Sequence, residues 1–88
     1  MSLPLNISKI EQRVLHALAQ GGAVRVFRAG KQVIAVECAT RDGYLLADCS
    51  LAIFKKLRRR RPIASRGGAP YRISALGLAA VRAQADNQ

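Results

Sequence analysis

The run from Cys49 to Pro62, CSLAIFKKLRRRRP, restricts this chain more than any other stretch, because it dictates a local structure and a surface together. Leu51, Phe54 and Leu57 recur at helical spacing, which sets a single apolar stripe. Lys55, Lys56, Arg58, Arg59, Arg60 and Arg61 fill most of what remains. Pro62 has no amide to continue a helix and disfavours helical angles at Arg61, so the helix is predicted to end at about Arg60. Asp48 or Ser50 caps its start. A hairpin signal follows at once: Ile63 to Arg66, a Gly67-Gly68 turn, then Tyr71 to Ile73. A cationic helix running into a two-stranded hairpin is the core arrangement of a winged helix-turn-helix module.

The charge of that stretch is not balanced elsewhere. The formal net charge is +10, and residues 1–48 carry six Lys/Arg against four Asp/Glu, a net of +2. Residues 49–88 carry nine against one, a net of +8, and no acid lies between Asp48 and Asp86. A field of this density attracts a polyanion or an acidic protein surface and speeds encounter with it. The remaining composition is that of a folded chain, with half the residues apolar. At 88 residues a single domain spanning 1–88 is expected, with residues 1–6 as a loose lead-in. A domain of this size supports one modest core and no deep, enclosed active site.

The first half reads as a capped helix and then strands. Ser8-Lys9-Ile10-Glu11 fits a capping box, with Ile7 placed to staple onto the first turn. Ile10, Val14, Leu15 and Leu18 form the predicted buried stripe, and Gly21-Gly22 ends the helix. Val24 to Phe27 and Val33 to Cys38 alternate as strands about an Ala29-Gly30-Lys31 turn, with Ile34, Val36 and Cys38 on one face. Asp42-Gly43 signals a further hairpin that returns as a short third strand, Tyr44 to Leu46. At the other end, Ser74 caps a last helix whose Leu76, Leu78, Ala79 and Val81 pack on the core, while Ala83 to Gln88 frays. The predicted order is α-β-β-β-α-β-β-α, an α+β, winged-helix-like fold.

No catalytic or metal-binding pattern emerges. His16 is the only histidine, and no serine or cysteine nucleophile is arranged beside it. Cys38 and Cys49 lack the paired spacing of a zinc site and read as small buried apolar residues, not as a disulfide. Glu37 and Asp42 suit a hairpin ion pair better than acid–base work. Gly67-Gly68 is a tight turn, too short to cradle phosphates. No enzyme activity, cofactor or metal is expected. The N-terminus has no long apolar run, so neither signal peptide nor membrane span is expected, and the expected location is the cytoplasm.

Two classes of partner suit the basic helix. Nucleic acid is one: Lys55, Lys56 and Arg58 to Arg61 neutralise phosphates, and Arg66 and Arg72 flank the turn of a wing. Topology argues against ordinary groove reading, because roughly thirty strand-like residues separate the first helix from the basic one, where a helix-turn-helix has a few. Few aromatic residues are present to stack single-stranded bases. An acidic protein surface is the other class, met by complementary potential, with Phe27, Tyr44, Phe54 and Tyr71 as candidate anchors, the last two better suited to the core.

The blocks EQRVLH, TRDGYLLADC, FKKL and PYRIS occur together, within ISKIEQRVLHALAQGG, VECATRDGYLLADCSLAIFKKLRRRRPI, GGAPYRIS and VRAQADNQ. In this combination the chain resembles the YjhX-type family of small bacterial proteins from Ile7 to Gln88. It departs at Pro62, where the family usually has leucine. The resemblance implies a toxin of a toxin–antitoxin pair that inhibits bacterial DNA topoisomerase I, with a small acetyltransferase-like protein as antitoxin. Glu11, His16, Arg41, Asp48, Lys55, Lys56, Tyr71 and Arg72 match the family's motifs. On the residues alone, a winged-helix DNA-binding regulator is the alternative.

Overall fold

The computed structural model describes residues 8–86, so the expected lead-in and the Ile7 staple lie outside the described residues. Helix α1 spans Lys9–Ala19 and begins with the expected capping box. The Ser8 hydroxyl accepts from the Glu11 amide at 3.2 Å, and the Glu11 carboxylate accepts from the Ser8 amide at 2.9 Å. Two of the amides that a helix start leaves without partners are satisfied in this way. Glu11 is buried although its partner Ser8 is exposed, and Val14, Leu15 and Leu18 are buried with it. Ile10 departs from the predicted stripe: it lies in the first turn and is exposed. Past Ala19 the chain turns at Gly21, whose φ is 108°, and Gly22 brings the backbone against the end of the next hairpin. A Cβ on Gly22 would meet the Ala39 carbonyl oxygen at 2.5 Å.

Strands β1 (Ala23–Ala29) and β2 (Gln32–Ala39) pair antiparallel around Gly30-Lys31. The register slips between Phe27 and Arg28, so that Phe27 faces Ala35, Arg28 faces Val33, and Ile34 is left over. One extra residue reverses the alternation beyond it. The core therefore takes Val33, and Ile34 faces solvent, contrary to the simple alternation expected from the sequence. Val36 and Cys38 keep their predicted inward face, half-buried and buried.

The expected third strand, Tyr44 to Leu46, does not form. The Thr40 amide bonds to the Tyr44 carbonyl and the Leu46 amide to the Cys38 carbonyl, which gives a single bridge between Ala39 and Leu45. Tyr44 and Leu45 both face solvent, and of the three only Leu46 packs against the core. The chain turns instead into α2 (Leu51–Arg60). Ser50 is its cap, accepting from the Ile53 amide at 3.2 Å. Asp48, the other candidate, is taken by an ion pair with Arg13.

Strands β3 (Ile63–Ala64) and β4 (Arg72–Ile73) pair antiparallel, Ile63 with Ile73 and Ala64 with Arg72. The Gly67-Gly68 turn forms as read, both residues at positive φ, with the Ala69 amide bonded to the Arg66 carbonyl at 3.0 Å. Val24 and Tyr71 exchange both main-chain hydrogen bonds at 2.8 Å, which stitches the two hairpins together. Helix α3 (Ala75–Asp86) follows, capped by Ser74, and reaches beyond the expected fraying point at Ala83. Its inward face is not the predicted leucine stripe. Gly77 and Ala80 are buried, Leu76 and Val81 half-buried, and Leu78 and Ala79 exposed. Small residues one turn apart let the helix backbone approach the Pro62 carbonyl closely, and larger side chains fall to the flanks. The result is an α+β fold of three helices and two small antiparallel sheets.

Candidate functional site

Helix α2 divides its positions as the spacing requires. Phe54 and Leu57 have no exposure and Leu51 is half-buried. Lys55, Lys56, Arg58, Arg59 and Arg60 are exposed. Phe54 anchors the arrangement: its ring meets the edge of Tyr71 with centroids 5.0 Å apart at 85°, and the Arg58 guanidinium lies 5.3 Å from its centroid. One aromatic residue thus ties α2 to the second hairpin and orients an arginine above it. Of the other candidate anchors, Tyr71 is half-buried, while Phe27 and Tyr44 are exposed on the first hairpin and its following loop.

Most of the predicted cations line two surface depressions. Lys55, Arg58, Arg59 and Arg61 line a shared surface depression at the C-terminal end of α2. Arg66 and Arg72 line a separate one, between the β3–β4 hairpin and the start of α3, with Ala69, Pro70 and Ser74. Arg72 also donates to the Gly21 carbonyl at 3.4 Å, which draws it toward the end of α1. Lys56 and Arg60 follow a different stripe of α2, and Arg60 is engaged in an interaction of its own. The ion pairs Arg13–Asp48 and Arg25–Glu37 involve none of these residues. Glu37 forms the expected hairpin salt bridge, with Arg25 across the first hairpin.

Arg61 holds a geometry that the sequence reading did not anticipate. It closes α2 in the left-handed region, φ 74°, the one described residue other than glycine with positive φ. Its carbonyl accepts from the Ser74 hydroxyl at 2.7 Å, and the Ser74 amide donates to the Pro62 carbonyl at 2.9 Å. The same hydroxyl caps α3 by accepting from the Gly77 amide at 3.2 Å. Ser74 and Gly77 are therefore structural partners of the basic helix end. The signal available in the sequence was a glycine inside a helical pattern, SALGLAA, which usually has a packing reason.

Elsewhere the residues that match family motifs are mostly framework. Glu11 is in the cap, Asp48 in an ion pair, Arg41 packs over Gly21, and His16 is exposed on α1. Cys38 and Cys49 are free and buried, as read from the sequence. The hydrogen bond between their sulfurs, with burial adding to it, pushes the Cys38 thiol up, and the same contact pulls Cys49 down against its burial. Among the described residues no group of His, Cys, Asp and Glu is arranged to hold a metal ion. No helix among them is long and apolar enough to cross a membrane.

Comparison with known proteins decides the family. Residues 5–88 match the YjhX_toxin model, described as "Putative toxin of bacterial toxin-antitoxin pair". The chain belongs to the YjhX toxin family. Similar members include a UPF0386 protein of Parvibaculum lavamentivorans, 58% identical over 96% of this chain and all of that protein. Another, from Brucella anthropi, is 56% identical over 96% of this chain and all of its own length. A third, from Rhodospirillum rubrum, is 56% identical over 96% of this chain and 94% of its own. No solved structure matches the chain. The toxin family implies an antitoxin as partner, and its description carries no catalytic activity.

Proposed function

We propose that this toxin binds and inhibits bacterial DNA topoisomerase I in the cytoplasm, and that a small acetyltransferase-like protein is its antitoxin. The basic face supplies the contact: Lys55, Lys56, Arg58, Arg59, Arg60 and Arg61 on and just after α2, with Arg66 and Arg72 on the second hairpin. The observation that supports a binding inhibitor is the one-sided charge. Residues 49–88 carry a net of +8, and the α2 cations are exposed on a helix whose other side is locked into the core. Such a surface steers encounter with an acidic patch on a larger enzyme and works by occupying it, without turnover.

A second reading, a winged-helix DNA-binding regulator, is favoured by one feature: α2 is followed by a two-stranded hairpin carrying Arg66 at its turn. Against it, residues 20–50 separate α1 from α2, and β1 and β2 lie within that interval, so no helix directly precedes α2 to position it in a groove. Capture of purified topoisomerase I on the immobilised toxin, with and without nuclease, tests the first reading. Retention after nuclease treatment is expected. Loss of the enzyme on nuclease treatment would mean that DNA bridged the two.

A further inference from the structure

We propose that the depression at the C-terminal end of α2, lined by Lys55, Arg58, Arg59 and Arg61, binds the phosphodiester backbone of a nucleic acid, and that the left-handed turn at Arg61 builds it. This shares the basic face with the reading above but does not depend on which enzyme the toxin inhibits.

The lining is the first argument. All four side chains are cationic, three are arginine, and none is apolar. Among the described residues none of the four is in an ion pair. Like charges gathered in one depression without acids repel each other until an anion enters. The ligand must therefore bring several negative charges into a small space. Duplex DNA supplies them at high density, one charge per about 1.7 Å of its axis with both strands counted. The depression also has no apolar side chain to seat a peptide anchor. Arginine forks match phosphate oxygens bidentately, and Arg58 is already oriented by its stack on Phe54.

The backbone is the second, independent argument. A non-glycine residue at φ 74° immediately before proline is strained, and it persists only where its surroundings hold it. Here they do so from both sides. The Ser74 hydroxyl grips the Arg61 carbonyl at 2.7 Å, and the Ser74 amide grips the Pro62 carbonyl at 2.9 Å. Gly77, bare of side chain, lets α3 press against that same Pro62 carbonyl. This turn brings the Arg61 side chain into the depression with Lys55, Arg58 and Arg59, one flank of the preceding helix. Ser74 is thus a positioning residue for Arg61.

The test is fluorescence anisotropy of a short labelled DNA duplex with the purified full chain, no topoisomerase present, between about 50 and about 200 mM salt. Binding is expected to be sequence-tolerant, with log affinity falling linearly against log salt at a slope near −3.6 for four contacts. Arg61→Gln and Lys55→Gln should each flatten the slope by about 1. Lys31→Gln removes the same charge at the exposed tip of the first hairpin and should leave the slope unchanged. Ser74→Ala keeps every charge but releases the turn, and should weaken binding several-fold at fixed salt. Circular dichroism confirms that each variant is folded. Equal slope changes for Lys31→Gln and Arg61→Gln would overturn the proposal, since a diffuse field would then explain binding. Competition by poly-glutamate as effective as that by unlabelled DNA would also overturn it, in favour of an acidic protein ligand. Enzyme capture after nuclease treatment is read independently of both outcomes, so the two readings fail separately.

Discussion

Replacing Phe54 with alanine should remove a large share of this protein's stability. The ring has no exposure, sits in the cluster with Leu15, Val24 and Leu57, and contacts Tyr71 edge-on at 5.0 Å. Truncating a buried phenylalanine typically costs about 3–5 kcal/mol, from lost transfer energy and the cavity left behind. The edge-on pair with Tyr71 accounts for about 0.5–1.5 kcal/mol of such a loss. A chain of 88 residues has roughly 4–13 kcal/mol of stability in total. For a domain of this size each 1 kcal/mol moves the melting temperature by about 4–8 °C. Thermal unfolding followed by circular dichroism should therefore show a fall of at least about 12 °C for Phe54→Ala. Phe54→Leu keeps most of the volume and should cost less than about 1.5 kcal/mol. A melting temperature within about 4 °C of the parent for Phe54→Ala would refute the assignment of Phe54 as the residue that ties α2 to the second hairpin.

Three further outcomes follow from particular contacts. Gly77→Ala gains helix propensity of about 1 kcal/mol, but its Cβ would meet Ile73 Cγ1 at 2.7 Å as well as the immobile Pro62 carbonyl. The backbone clash should win, so urea titration should give a lower midpoint for the variant; a raised midpoint would show that α3 does not approach Pro62 closely. Ser8→Ala removes the acceptor for the Glu11 amide and should cost about 0.5–2 kcal/mol in the same titration. Cys49 is lowered and Cys38 raised, so the Cys49 thiolate appears first as pH increases. Alkylation followed by peptide mass mapping across alkaline pH should label Cys49 ahead of Cys38, and the reverse order would contradict the hydrogen bond between them.

Local chemistry made much of this fold legible. The Ser8 box, the apolar stripe of α2, the stop before Pro62, the double-glycine turn and the Ser74 cap each depend on residues within a few positions of one another, and each appears where the sequence placed it. What escaped depends on distant partners. The bulge that expels Ile34 is set by how β2 meets β1, and simple alternation cannot register one inserted residue. The third strand had its Asp42-Gly43 turn, but Tyr44 and Leu45 have no buried face to reward pairing. The stripe of α3 was read from its largest residues, although the small pair Gly77 and Ala80 decides which side meets Pro62. Of the candidate site, the exposure of the α2 cations was readable from periodicity. That Arg61 joins Lys55, Arg58 and Arg59 in one depression was not, because it depends on the left-handed turn at Arg61 and on Ser74, which lies thirteen residues further along.

A relaxation assay with two enzymes on one substrate separates inhibition of topoisomerase I from coating of DNA. Supercoiled plasmid is relaxed either by topoisomerase I or by an unrelated topoisomerase, at matched activity and near physiological salt, while the toxin is titrated. A toxin that occupies a surface on topoisomerase I should block that enzyme and spare the other. Charge reversal at the exposed Lys55 and Lys56 should weaken the block chiefly by slowing association, since surface charges contribute little to folding. Equal inhibition of both enzymes at the same toxin concentration would rule out direct inhibition of topoisomerase I, because only coating of the shared plasmid would explain it.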